Sequence, residues 1–364
     1  MFDRRLIINF DFILLLVILL LSFAGVINLN SICSSLTENS SLFFLKQIYW
    51  ILIGVFCLFI IININYVSII RYAYYIHFIS IALLIIVLFF GKLKFGSQRW
   101  IDLGPFSLQP SELAKITFIL VLSKFYTENI SQRPYSIGGL FLPCVLLFAT
   151  FYPIYIQPDL GTAGIIFLIF FSLSAILNFN KKTLLSLFTL LLFSIPMFWF
   201  LLKDYQKKRI LIFFNPELDP LNAGYQIIQS KIAVGSGGLF GKGYKLGTQS
   251  QLRFLPEQHT DFVFSVWAEE WGFVGCSFLL ILFFFLLYRG LSIAFNSKNI
   301  YGSFLASGIT CLFFWQIIIN VFMTLGFFPV VGVPIPFFSY GGSSMLSSMI
   351  AIGLLLNINM RKFK

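Results

Sequence analysis

Apolar runs recur along the chain with few breaks, each near the roughly 20 residues a helix needs to cross a lipid core. They lie near 10–29, 45–64, 72–91, 111–127, 137–155, 162–179, 183–201, 262–288, 301–325 and 341–359, and the connections are short except for 202–261. The pattern predicts an all-α integral membrane protein: a polytopic bundle of about ten transmembrane helices, with residues 1–364 forming a single transmembrane domain and one long loop at about 202–261. No soluble domain and no strong repeat is visible. The first run, from Phe12 to Ile27, lacks a small-residue cleavage site and reads as a retained span.

Orientation follows from Lys and Arg in the short loops. With ten spans, Arg4, Arg5, Arg71, Arg133, Lys181, Lys182, Arg289, Lys298 and the Arg361–Lys364 tail share one side. Both termini are then cytoplasmic. The opposite, extracytoplasmic side receives 30–44, 92–110, 156–161, 202–261 and 326–340, where every motif-like stretch falls.

Composition agrees: 59% hydrophobic and 11% charged residues exclude a soluble domain of this length. The 47 Phe residues, with abundant Ile and Asn, point to an AT-biased genome, so single Phe positions carry little meaning. The net charge of +11 suits anionic membrane lipids or a phosphorylated ligand, but also follows from cytoplasmic anchoring residues. The five cysteines match no metal or disulfide spacing, with Cys33 alone placed in a loop. Nothing suggests a nucleic-acid module.

The candidate chemistry centres on Leu255–Gly272, which closes the long loop and runs straight into a span. Two readings of Asp261 stand open. Thr260 caps the helix and Asp261 sits in its first turn, where the dipole favours a carboxylate; or Asp261 is a general base for a substrate lying in the membrane surface. His259 beside it resembles half a catalytic pair, without an evident Ser or Cys nucleophile. Glu112 and Lys115 are three apart on one helix face, either a self-neutralising pair or a site, since ionisable groups inside a span are expensive. Arg99 and Trp100 suit an interfacial anchor, and Arg99 equally a phosphate contact. Asp159, in Gln157–Thr162, suits a turn hydrogen bond. Ser236–Gly243, which includes Lys242, looks like a phosphate cradle but is no Walker A loop, because Lys242 is not followed by Ser or Thr. Ser339–Ser344 has small residues suited to close helix packing. His77, in an apolar span, reads as structural.

Seven ordered stretches, Gly96–Gly104, Gln109–Lys115, Gln157–Thr162, Asn215–Ser230, Gly235–Gly243, Glu257–Asp261 and Gly332–Ser344, resemble the SEDS family (shape, elongation, division, sporulation) over nearly the whole chain. The resemblance is closer to its RodA-type elongation branch than to the division branch. It implies a peptidoglycan glycosyltransferase in the bacterial cytoplasmic (inner) membrane, polymerising lipid II at the outer face during cell elongation. It also implies a class B penicillin-binding protein as crosslinking partner. The family's essential acid matches Asp261; Arg99, Trp100, Glu112, Lys115 and Asp159 also fall on its motif positions, and Glu257, His259 and Lys242 join them as candidate substrate contacts. Trp267 and Trp271 depart from the family, standing where smaller aliphatics are usual.

The expected chemistry has Asp261 taking a proton from the attacking sugar hydroxyl while basic residues, Arg99 and part of the long loop, steady the departing diphosphate. The chain names no cofactor. A divalent cation, Mg or Mn, would suit that diphosphate, but no complete ligand set can be read. The rivals are a lipid II flippase, which needs a charged cavity reaching the cytoplasmic side, and a scaffold that tolerates Asp261→Asn.

Overall fold

The computed structural model describes residues 9–34, 41–94, 97–102, 107–129, 138–177, 204–219 and 223–362, with a few single positions between them. Its helices are α1 Phe12–Ser34, α2 Ser41–Asn63, α3 Tyr66–Arg71, α4 Ala73–Phe90, α5 Pro110–Glu128, α6 Phe141–Ile156 and α7 Leu160–Ala175. They continue with α8 Asp204–Phe214, α9 Ala223–Ser236, α10 Thr248–Gln251, α11 Val263–Asn296, α12 Ile300–Thr324 and α13 Gly342–Met360. Every expected span except 183–201, of which only single positions are described, overlaps one of these helices, and that at 262–288 is interrupted at Gly272. Seven of them are long and apolar enough to cross a membrane. Helix α5 carries Glu112, Lys115, Lys124 and Glu128, and α7 is short; both are nonetheless largely enclosed by their neighbours.

Two features were not expected. The 92–110 connection folds as a small antiparallel sheet, β1 Lys92–Lys94, β2 Ser97–Asp102 and β3 Ser107–Leu108, in the order β1-β2-β3. The long 202–261 segment is also largely helical where described, through α8, α9 and α10. Cys33 lies buried in α1 rather than in a loop.

Polar residues hold the bundle from inside. Helix α13 is buried over most of its length; Asn357 donates to the Ile61 carbonyl at 2.6 Å, and Arg361 to that of Ile62 at 3.1 Å. His77 bridges Thr117 and Thr150, each at 3.1 Å, tying α4 to α5 and α6. Such pairs matter in lipid because an unpaired polar group there has no water to turn to.

The register of α1 against α11 decides where Asp261 lies. Arg289 pairs with Asp11 at 2.6 Å, and Ser31 donates to Glu270, so the two helices run antiparallel between these points. A straight helix would carry Val263 roughly 10 Å beyond Glu270, past the end of α1. Instead Asn28 donates to the Val263 carbonyl at 2.9 Å, one turn back along α1 from Ser31. The chain turns at Gly272, whose φ of 63° and ψ of −161° are not helical. The stretch 263–271 is thus a half-helix folded back into the bundle, and the expectation that Leu255–Gly272 runs straight into a span is corrected.

Candidate functional site

A helix break exposes backbone groups, and here the glycine-rich segment covers them. Phe273 and Val274 donate to the carbonyls of Gly238 and Leu239 at 2.9 and 3.1 Å. Lys242 and Gly243 donate to those of Glu269 and Glu270, both at 3.0 Å. These are the four groups that an unbroken helix would have paired with each other. A Cβ on Gly241 would stand 2.1 Å from the Glu270 carbonyl oxygen, so the close approach requires glycine there. Ser236–Gly243 is therefore a backbone clasp on a broken helix and not a phosphate cradle. Its Lys242 ammonium lies 2.7 Å from Glu269 Oε1.

The half-helix presents Asp261 just ahead of its first turn. Its N-cap position is Phe262, and no side chain caps it. The Thr260 hydroxyl donates to the Glu257 carbonyl at 3.3 Å instead of capping. That carbonyl also receives the amides of Thr260 and Asp261, closing a tight turn in which Glu257 adopts φ 50°. The capping reading of Asp261 is thereby removed.

Asp261 is partly buried where several elements meet. Gly332, in the 326–341 loop, lies against its carboxylate, an added Cβ there being 3.3 Å from Oδ2. Asn320 of α12 donates to the Asp261 carbonyl at 3.0 Å and to that of Val333 at 2.6 Å, locking the loop to the segment just ahead of the half-helix. Ser339 donates to the Thr260 carbonyl at 2.8 Å. Burial pushes the Asp261 carboxyl up to about 6; Glu257 and, more weakly, Asp159 add to the rise, while the Thr260 hydroxyl and the Arg209 guanidinium oppose it. A carboxylate with that value is ionised at neutral pH and basic enough to accept a proton.

The other expected residues divide. Asp159 caps α7 through the Thr162 amide at 3.2 Å, and also accepts from the Thr162 hydroxyl at 3.0 Å and Gln109 at 3.2 Å. It is near enough to Asp261 to act on it electrostatically. Arg99 donates to the carbonyls of Gln157, at 2.7 Å, and Pro158, and stands 3.8 Å from Asp159. Two of its five N–H donors thus brace the 157–159 turn. Trp100 is half-buried in β2 opposite Lys92. Glu112 and Lys115 form a buried pair at 2.8 Å, with the Ser347 hydroxyl donating to Glu112 at 3.0 Å. His259 faces Phe43 and Tyr340, with ring centroids 5.6 and 5.9 Å away, and its Nε2 lies 3.9 Å from Glu257. Burial lowers its pKa against the pull of Glu257, which keeps the imidazole neutral at pH 7. Lys242 belongs to the clasp.

Arg209 and Asn320 were given no individual role from the sequence, and Gly332 and Ser339 entered only as part of longer stretches. Arg209 reaches the loop by donating to the Val330 carbonyl at 3.1 Å. Its signal was the Lys207-Lys208-Arg209 run, which reads as bulk charge until α8 is seen to face the site. Among the described residues, no group of three or more His, Cys, Asp or Glu is placed to hold a metal ion.

A family model described as "Cell cycle protein", spanning FtsW, RodA and SpoVE, matches residues 9–364. The peptidoglycan glycosyltransferase MrdB of Escherichia coli K12 is 43% identical over 289 residues, covering 79% of this chain and 78% of that protein. A chain from a peptidoglycan synthase complex, in a study of how it coordinates polymerization and crosslinking, superposes with a TM-score of 0.83 at 29% identity, over 98% of this chain and 99% of that one. The rod shape determining protein RodA of Thermus thermophilus superposes with a TM-score of 0.72 at 28% identity, over 98% of both chains.

Proposed function

The chain belongs to the FtsW/RodA/SpoVE family, and from that premise we propose that it is a RodA-like peptidoglycan glycosyltransferase that polymerises lipid II during cell elongation with Asp261 as general base. It is a multi-pass membrane protein with relatives named peptidoglycan glycosyltransferases. In this reading residues 1–364 act as one transmembrane domain in the bacterial cytoplasmic membrane. Both termini are cytoplasmic, and the site opens on the outer face.

The observation that carries the assignment of the base is the Asp261 carboxylate: partly buried, raised to about 6, and without an ion pair among the described residues. Asp261 takes the proton from the acceptor sugar's hydroxyl. The freed oxygen bonds to the anomeric carbon of the second lipid-linked disaccharide, and the bond from that carbon to the diphosphate breaks. Undecaprenyl diphosphate leaves with the electron pair. Arg209, whose charge reaches Asp261, and Arg99, which has N–H donors beyond the two on the 157–159 turn, steady its growing charge. A class B penicillin-binding protein fits as partner, because the synthase complex this chain resembles couples polymerization to crosslinking.

The test is polymerisation of labelled lipid II by detergent-purified protein, wild type against Asp261→Asn, with and without a class B partner. Polymer from wild type alone supports the reading. Equal polymer from both removes Asp261 as the base, and none under any condition favours lipid transport, measurable next in liposomes.

A further inference from the structure

Glu269 is a fully buried carboxylate on the half-helix, eight residues beyond Asp261. Its Oε1 receives the Lys242 ammonium at 2.7 Å, the Thr248 hydroxyl at 3.0 Å and the Gln249 amide at 3.0 Å. Its Oε2 receives the Ser250 amide at 3.4 Å. One side chain thus pins residues 242–250 to the half-helix. From Gln251 the chain runs as a strap over the buried Leu255, through the turn at Glu257, to Asp261, and joins the same half-helix at Val263. The strap is anchored at both ends on one rigid piece, itself fixed to α1 through Asn28 and Ser31. Stability alone does not call for a charge here, since a buried ion pair is often no better than an apolar replacement.

We propose that Glu269 is a positioning residue for Asp261: by holding the far end of the 251–261 strap, it sets where the Asp261 carboxylate stands. This rests on the reading of Asp261 as the base. The 259–261 end is also tied to the 326–341 loop and to α12, by the Tyr340 amide on the His259 carbonyl at 3.0 Å and by Ser339 and Asn320, so loss of the Glu269 anchor loosens 251–258 and shifts Asp261 by on the order of 1 Å. Misplacement by about 1 Å can cost a reaction on the order of 10²-fold.

The experiment uses the full-length purified protein, with its class B partner where polymerisation requires it, and compares Glu269→Gln and Lys242→Arg with wild type. Three quantities are read: kcat and KM for lipid II, the acid limb of the pH profile, and amide hydrogen exchange across 252–262. Glu269→Gln is expected to lower kcat by about 10- to 100-fold with KM little changed. Its acid limb should move below pH 6 as the strap admits water, and exchange should quicken in 252–262 but not in α12. Lys242→Arg, which keeps a charged donor to Glu269, should leave exchange across 252–262 as in wild type. Unchanged exchange in the strap overturns the proposal. So does a loss of kcat that only tracks the folded fraction with the acid limb unmoved. Should Glu269→Gln not fold, Thr248→Val, which removes one donor, must still quicken strap exchange, and its failure to do so is equally contrary. An active Asp261→Asn would sink the assignment of the base, while strap exchange would still report on Glu269.

Discussion

Asp261 and Glu269 lie eight residues apart, one before and one within the same half-helix, yet the structure treats the two carboxylates oppositely. Glu269 is wholly buried and met by an ammonium, a hydroxyl and two amides. Asp261 is only partly buried, has no ion pair among the described residues, and feels Glu257 and Asp159 as well as Arg209. On the proposed reading, the supply of donors separates the two: a carboxylate whose lone pairs are filled serves as a fastener, and one with few donors is left able to accept a proton. Glu112, paired with Lys115 and Ser347, falls on the fastener side although it lies deep in the bundle.

The comparison breaks first at Asp261. Asp261→Asn should reduce polymerisation by about 10²- to 10⁴-fold, the usual worth of a general base, without loss of folded protein. Glu112→Gln should act the other way round, unfolding the protein through the unpaired Lys115. A cost of about 3–5 kcal/mol is expected in thermal melts, much of it recovered when Lys115→Met is added.

Arg99→Gln sharpens the division between bracing and binding. If Arg99 chiefly braces the 157–159 turn, stability falls by about 1.5–3 kcal/mol with KM for lipid II unchanged. A raised KM at unchanged melting temperature would instead make Arg99 a diphosphate contact. Gly241→Ala should cost on the order of 1–3 kcal/mol, because its φ of 79° and the Glu270 carbonyl both oppose a Cβ. That loss would show in the melting temperature.

The smallest expected effect carries a sign. The folded-state value of Asp261, about 6, stands above the ordinary 3.8, so the folded protein holds the extra proton. The stability tied to this group is then lost as pH rises between about 4 and about 6. Asp261→Asn escapes that loss, so its melting temperature relative to wild type should climb across this window and level off above it.

Much of the architecture was legible because hydrophobic runs of membrane length are a strong signal, and α1, α2, α12 and α13 begin and end within a few residues of the expected spans. The Asp261 site was legible as a motif. Its partners were less so: Arg209 and Asn320 sit in unremarkable sequence and matter only because α8 and α12 bring them in. The clasp was misread for a physical reason. A run of glycines allows backbone to approach a phosphate or another backbone equally well, and only the break at Gly272 tells which. That break was hidden because a single glycine, Gly272, does not by itself interrupt a helical pattern in the sequence.

The most direct measurement is the pH dependence of lipid II polymerisation by the purified wild-type protein. A single acid limb near pH 6, with polymerisation absent in Asp261→Asn, is the predicted result. A rate that stays flat down to pH 4, or an acid limb that persists in an active Asp261→Asn, would contradict the assignment of Asp261 as the base.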